Sequence, residues 1–111
     1  MGREIMVTYE EFRKVELKVA RIQEVMEHPN ADKLYVIKID LGDSQKQIVA
    51  GIRNFYKPQD LLGKQIVVIA NLEPALIRGV ESQAMLLAAS DESGISILTP
   101  QRDVKAGSIV K

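Results

Sequence analysis

The chain has 111 residues, and 15 Lys and Arg balance 15 Asp and Glu, so the formal net charge is zero. That length fits one compact domain rather than a catalytic domain with a separate ligand domain, and a hydrophobic share of 46% argues against disorder. Without cysteine there are no disulfides or thiolate metal sites, and a single histidine, His28, excludes a two-His metal motif within one chain. Zero net charge also argues against nonspecific coating of nucleic acid, which runs on excess Lys and Arg, but it leaves room for a local basic patch.

Residues 1–7 read as a lead segment, and no apolar stretch follows Arg3 and Glu4, so no signal peptide is expected. Thr8 and Glu11 then have the spacing of a capping box, which predicts a short helix over about Tyr9–Lys14 with Tyr9 and Phe12 on one face. From Glu16 the apolar period becomes two, with a slip near Ala20 and Arg21 that predicts a bulged or strongly bent strand. Residues 28–32 (H-P-N-A-D) form a turn by composition. Lys33–Leu41 and Gln47–Ala50 read as a strand pair around Gly42-Asp43-Ser44, and a short helix is expected at Gln59–Leu62 after Pro58. Gln65–Leu72 is a fourth strand, Glu73–Gln83 a long connection and Ala84–Ser90 a fifth strand. The longest apolar runs, Ile66–Ala70 and Ala84–Ala89, are far too short to cross a membrane, so a cytoplasmic protein with no membrane partner is expected.

This order, with a helical insert between strands three and four, predicts an all-β fold: a five-stranded OB-type barrel over residues 8–90. Residues 91–111 then add Ile95, Ile97, Leu98, Val104, Ile109 and Val110, which such a barrel has no obvious place to bury. The expectation is a C-terminal extension used for dimerisation, together with the N-terminal helix, in an isologous homodimer. The plainer alternative is a tail folded over its own barrel.

No pattern supports catalysis, a metal or a cofactor. His28, Ser82 and Asp32 make a nucleophile–base–acid set only on paper, because Ser82 lacks a G-x-S-x-G context; His28 reads as a turn histidine before Pro29. Glu10 with Glu11, and Asp91 with Glu92, fall where solvent-facing turn or helix residues belong. Residues 78–81 (R-G-V-E) lack the phosphate-loop pattern. Residues 33–90 carry seven basic groups against five acidic ones, while residues 1–32 carry five against seven, a small asymmetry. With aromatic residues at 5%, an extended base-stacking platform is disfavoured, so any nucleic acid would be held through phosphate contacts and shape.

Several phrases together resemble the tRNA-binding domain family. Residues 28–35 (H-P-N-A-D-K-L-Y) match its H-P-x-A-D-K-L-Y motif, and residues 12–19 (F-R-K-V-E-L-K-V) are similar to F-x-K-x-D-L-R-V, with Glu16 and Lys18 for the usual Asp and Arg. Ala50-Gly51-Ile52, Tyr56-Lys57-Pro58, Leu62-Gly63-Lys64, Asn71-Leu72, residues 78–82 (R-G-V-E-S) and residues 85–89 (M-L-L-A-A) resemble further family phrases in the family's order. Ala84 departs from the pattern, standing where S-x-G-M has Gly. Either a backbone with positive φ or close RNA approach at that position would be disturbed by the methyl.

The resemblance covers about Tyr9–Ser90 and implies an OB fold that dimerises in compact versions and binds tRNA largely by shape. Such modules are free-standing proteins, or the C-terminal domain or beta subunit of methionyl-tRNA synthetases, with related copies in tyrosyl-tRNA synthetases. It implies a non-catalytic role, with tRNA and a methionyl-tRNA synthetase catalytic subunit as partners and no cofactor. The matching positions it places near tRNA are Lys33, Arg53, Asn71, Arg78, Ser82 and Met85, with bonding to turn backbone after strand four the alternative for Asn71 and a buried strand position the alternative for Met85. The rival from another class is a protein-binding module of the same shape, as in CsaA-type export chaperones or cytokine-like relatives.

Overall fold

The computed structural model describes residues 4–111; residues 1–3, part of the lead segment, lie outside it. Thr8 begins helix α1 (Tyr9–Phe12) with the expected capping box: the Glu11 N–H donates to Thr8 Oγ1 at 3.1 Å, and Glu11 Oε1 accepts the Thr8 N–H at 3.2 Å. The helix stops two residues before the expected end. None of its residues is buried, so packing gives it nothing beyond its cap.

The organising strand is β1 (Leu17–Glu27). Its first half pairs antiparallel with β4 (Gln65–Ile69) and its second half with β2 (Tyr35–Asp40). The register shifts between Ile22 and Glu24, two residues beyond the slip in the apolar pattern. The shift bends one strand enough to serve both sides of a barrel. The β2 strand continues as a hairpin into β3 (Gln45–Ala50), with Ile37 and Ile39 facing Ile48 and Lys46 in register. The short helix α2 (Pro58–Leu61) starts on Pro58, where a missing N–H costs nothing, and buries Leu61 completely. Ile22, Ile37, Ile39, Ile48, Leu61, Ile66 and Val68 fill the barrel.

Beyond β4 the chain departs from expectation in two places. The connection is not irregular: β5 (Ala75–Ile77) and β6 (Val80–Ser82) form a hairpin of their own across Arg78 and Gly79. The fifth strand is split. β7 (Met85–Leu86) pairs with β4, completing the order β3-β2-β1-β4-β7, and then β8 (Ala88–Asp91) leaves to pair with β9 (Gly94–Ile97). The sheet curls until β3 meets the stretch between β6 and β7. There the Gln83 N–H donates to the Gln47 carbonyl at 2.8 Å, and Gln83 Oε1 accepts the Gln47 N–H at 2.9 Å. The result is an all-β, OB-type barrel.

The tail lies largely on its own barrel. Ile95 and Ile97 pack against the core, Val104 exchanges two hydrogen bonds with the amide of Gln65, and Arg21 pairs with Asp103 at 3.2 Å. A last strand, β10 (Ile109–Val110), adds to β1 opposite Lys18 and Leu17. Leu98 and Ile109 remain exposed.

Candidate nucleic-acid interface

Two loops frame the outer face of β2 and β3: the 28–34 turn and the 75–82 hairpin. In OB folds this face and these loops carry the ligand. The structure ties the two loops together through His28. Its ring is buried; the Asn30 N–H donates to Nδ1 at 2.9 Å, which leaves the proton on Nε2 to be donated to the Ile77 carbonyl at 2.9 Å. Asn30 adds a reciprocal pair: its Nδ2 donates to the Arg78 carbonyl, and Arg78 Nη2 donates to the Asn30 carbonyl, each at 3.3 Å. The turn histidine of the sequence is thus a latch to a segment 49 residues away.

Three of the expected residues lie on or beside the latched turn and hairpin tip. Lys33 is exposed on the turn, and Arg78 is exposed at the hairpin tip. Arg53 lies under the same turn, donating its backbone N–H to the Lys33 carbonyl at 3.3 Å and its Nη1 to the Ala31 carbonyl at 3.3 Å. Its other guanidinium nitrogen pairs with Glu27 at 3.1 Å, so part of its charge is already answered.

The other three lie elsewhere and are differently employed. Asn71, just past β4, accepts the Glu16 N–H on Oδ1 at 2.8 Å and donates Nδ2 to the Lys14 carbonyl at 2.6 Å, pinning the segment after α1. Ser82 is buried; its hydroxyl accepts the Val49 N–H and donates to the Ala84 carbonyl, both at 2.9 Å. Met85 is half exposed on β7, opposite Ile69. Ala84 has no positive φ, since Arg78 is the sole non-glycine residue with one among the described residues, and its methyl points into the core. The departure from Gly therefore costs no backbone strain and places nothing at the surface.

Lys38 and Gln47 were not singled out by the sequence. They are cross-strand partners on the outer face and line one groove with Lys46, Glu81 and Gln83. Alternation along β2 puts Lys38 outward, but only the barrel's closure brings Gln83 beside it. Among the described residues no group of three or more His, Cys, Asp or Glu could hold a metal ion, and no helix is long and apolar enough to cross a membrane.

Comparison with known proteins follows the same lines. Residues 17–109 match the family model described as "Putative tRNA binding domain". The methionine–tRNA ligase of Thermococcus kodakarensis is 53% identical over 105 residues, which are 95% of this chain and 14% of that enzyme, so the chain spans about one seventh of this relative's length. The solved structure of a MetRS related protein from Pyrococcus horikoshii superposes with a TM-score of 0.90 at 30% identity, covering 97% of this chain and all of that one. The CsaA chaperone protein from Picrophilus torridus superposes with a TM-score of 0.88 at 33% identity, covering 96% of this chain and all of that one.

Proposed function

This chain belongs to the tRNA-binding domain family, and from that premise we propose that it holds folded tRNA by shape, without chemistry of its own, on the surface where the 28–34 turn meets the 75–82 hairpin. The observation that carries the reading is the latch of His28 and Asn30, which joins the turn bearing Lys33 to the hairpin bearing Arg78, with Arg53 bonded to the same turn. Lys33 and Arg78 neutralise phosphates; Arg53 holds the turn and offers its remaining donors; Lys38 extends the track across the face. Met85 contributes from β7. Ser82 and Asn71 act by positioning, since their polar atoms are taken by backbone groups. A small fixed patch on a neutral chain favours one RNA shape over RNA in general.

The module works as a homodimer in the cytoplasm. It acts either in trans or as the beta subunit or C-terminal domain of a methionyl-tRNA synthetase, where tethering raises the effective tRNA concentration at the catalytic subunit. Dimerisation is supported by a groove between α1 and β10 whose apolar lining is Tyr9, Phe12, Val15, Leu17, Ile109 and Val110, beside four charged side chains, and in which Tyr9 is 75% and Ile109 73% exposed. Apolar surface of that kind marks an interface.

A gel shift with folded tRNA against an unrelated duplex RNA tests the proposal: tRNA shifts at a lower protein concentration, and equal affinity for the two RNAs contradicts shape recognition. The second reading, a protein-binding module, draws on the full-length likeness to the CsaA chaperone protein. Binding of an unfolded peptide that excess tRNA does not displace favours it.

A further inference from the structure

We propose that His28 and Asn30 are positioning residues for Arg78, so that turn and hairpin meet RNA as one preformed unit. This rests on the reading of Arg78 as a phosphate contact. Its backbone carries a φ of 53° beside Gly79 at 90°, in a two-residue link between paired Ile77 and Val80. Positive φ at both link residues is the turn that follows the strand twist and favours Asn-Gly. Arginine pays a steric penalty there that asparagine or glycine largely escapes. A strained residue whose side chain is long, charged and exposed points to use of that side chain.

The hairpin's base and tip are held separately. At the base, Gln47 Nε2 donates to the Glu81 carbonyl and Ser82 joins Val49, both at 2.9 Å. At the tip the holding bonds described above are those from His28 and Asn30, to the carbonyls of Ile77 and Arg78. An isolated two-stranded hairpin is marginal in water, so without them the tip would sample other positions. Fixing it beforehand removes an ordering cost that RNA binding would otherwise bear. The guanidinium keeps one donor on the Asn30 carbonyl and its remaining donors for a phosphate.

The test is a double-mutant cycle on tRNA affinity across a salt series, with amide hydrogen exchange in the free protein. Arg78→Ala and His28→Ala are each expected to weaken binding about tenfold and to lower the slope of log affinity against log salt by about one. The double variant is expected to lie within about twofold of either single one, because residues acting through one contact are not additive. Exchange in the 75–82 hairpin speeds up in His28→Ala while β1 and β2 stay protected. Asn30→Ala, at an exposed site, carries the same expectations at smaller size should His28→Ala fail to fold. Single effects that multiply to about a hundredfold in the double variant overturn the inference, as does a His28→Ala chain with wild-type affinity and slope. A wild-type chain with no preference for tRNA overturns the parent reading as well; the preference together with multiplied effects overturns this inference alone.

Discussion

The hydroxyl of Ser82 accepts the backbone N–H of Val49 at 2.9 Å, inside the seam where β3 meets the chain between β6 and β7. The closure there combines one backbone bond, from the Gln83 N–H to the Gln47 carbonyl, with side-chain ones: Gln83 Oε1 accepts the Gln47 N–H, and Ser82 donates its own proton to the Ala84 carbonyl. A backbone donor on a partly buried strand has no substitute partner once that oxygen is gone. Ser82→Ala is therefore expected to cost about 1–3 kcal/mol of stability, read as a lower denaturant midpoint. The tRNA affinity of the folded fraction stays unchanged. A stable variant with weakened binding would instead place the hydroxyl on RNA.

Asn71 fastens the start of the fold in the same way. Both ends of its amide are bound, to the Glu16 N–H and the Lys14 carbonyl. Asn71→Ala is expected to cost about 1–2 kcal/mol and to speed hydrogen exchange at the 14–16 amides and in α1, with the barrel strands protected as before. Asn71→Asp keeps the acceptor for the Glu16 N–H but sets a carboxylate oxygen against the Lys14 carbonyl, so it is not expected to restore stability.

The tail is keyed to the barrel by two glycines. Gly42 and Gly107 both have positive φ, near 90°, and a Cβ on Gly107 would overlap the Leu41 carbonyl, while one on Gly42 would overlap that of Ala106. Gly107→Ala is expected to lower stability by at least about 2 kcal/mol, from strain and overlap together. Proteolysis should then reach residues 104–111 first; wild-type stability would show that the two turns do not interlock.

The elements visible in the sequence are those set by short-range chemistry. Thr8 and Glu11 specify their cap within one helical turn, Pro58 marks the start of α2, and the alternation of β1 betrays its bend because the bend moves side chains between faces. The β5–β6 hairpin is invisible for converse reasons: each strand has three residues, and its turn opens on Arg78, not Asn. The split after Leu86 leaves no mark either, since the apolar run continues through Ala89 with no glycine or proline at the parting. At the candidate site, family phrases bring Lys33, Arg53 and Arg78 forward together, and the fold puts them where the 28–34 turn meets the 75–82 hairpin. For Asn71 the sequence leaves two roles open, RNA contact or bonding to backbone, and the fold employs its amide on backbone; for Ser82 the phrases show no internal role, because a partner 33 positions away along the chain is a matter of closure.

Dimerisation has its own expected outcome. Sedimentation at micromolar concentration should give a dimer for the wild-type chain and a monomer for Phe12→Glu combined with Ile109→Glu, which sets charge on two exposed apolar positions of the groove between α1 and β10. A wild-type monomer contradicts the homodimer.

The measurement closest to the central claim is the salt dependence of tRNA affinity for two charge-matched double reversals. One is Lys33→Glu with Arg78→Glu on the latched loops, and the other is Arg102→Glu with Lys105→Glu on the tail. Both change the net charge equally, so bulk attraction is matched. The first is expected to flatten the slope of log affinity against log salt by roughly 1.5–2, the worth of two phosphate contacts, and the second to leave it close to wild type. Equal slopes for the two variants would contradict a tRNA site built on Lys33 and Arg78.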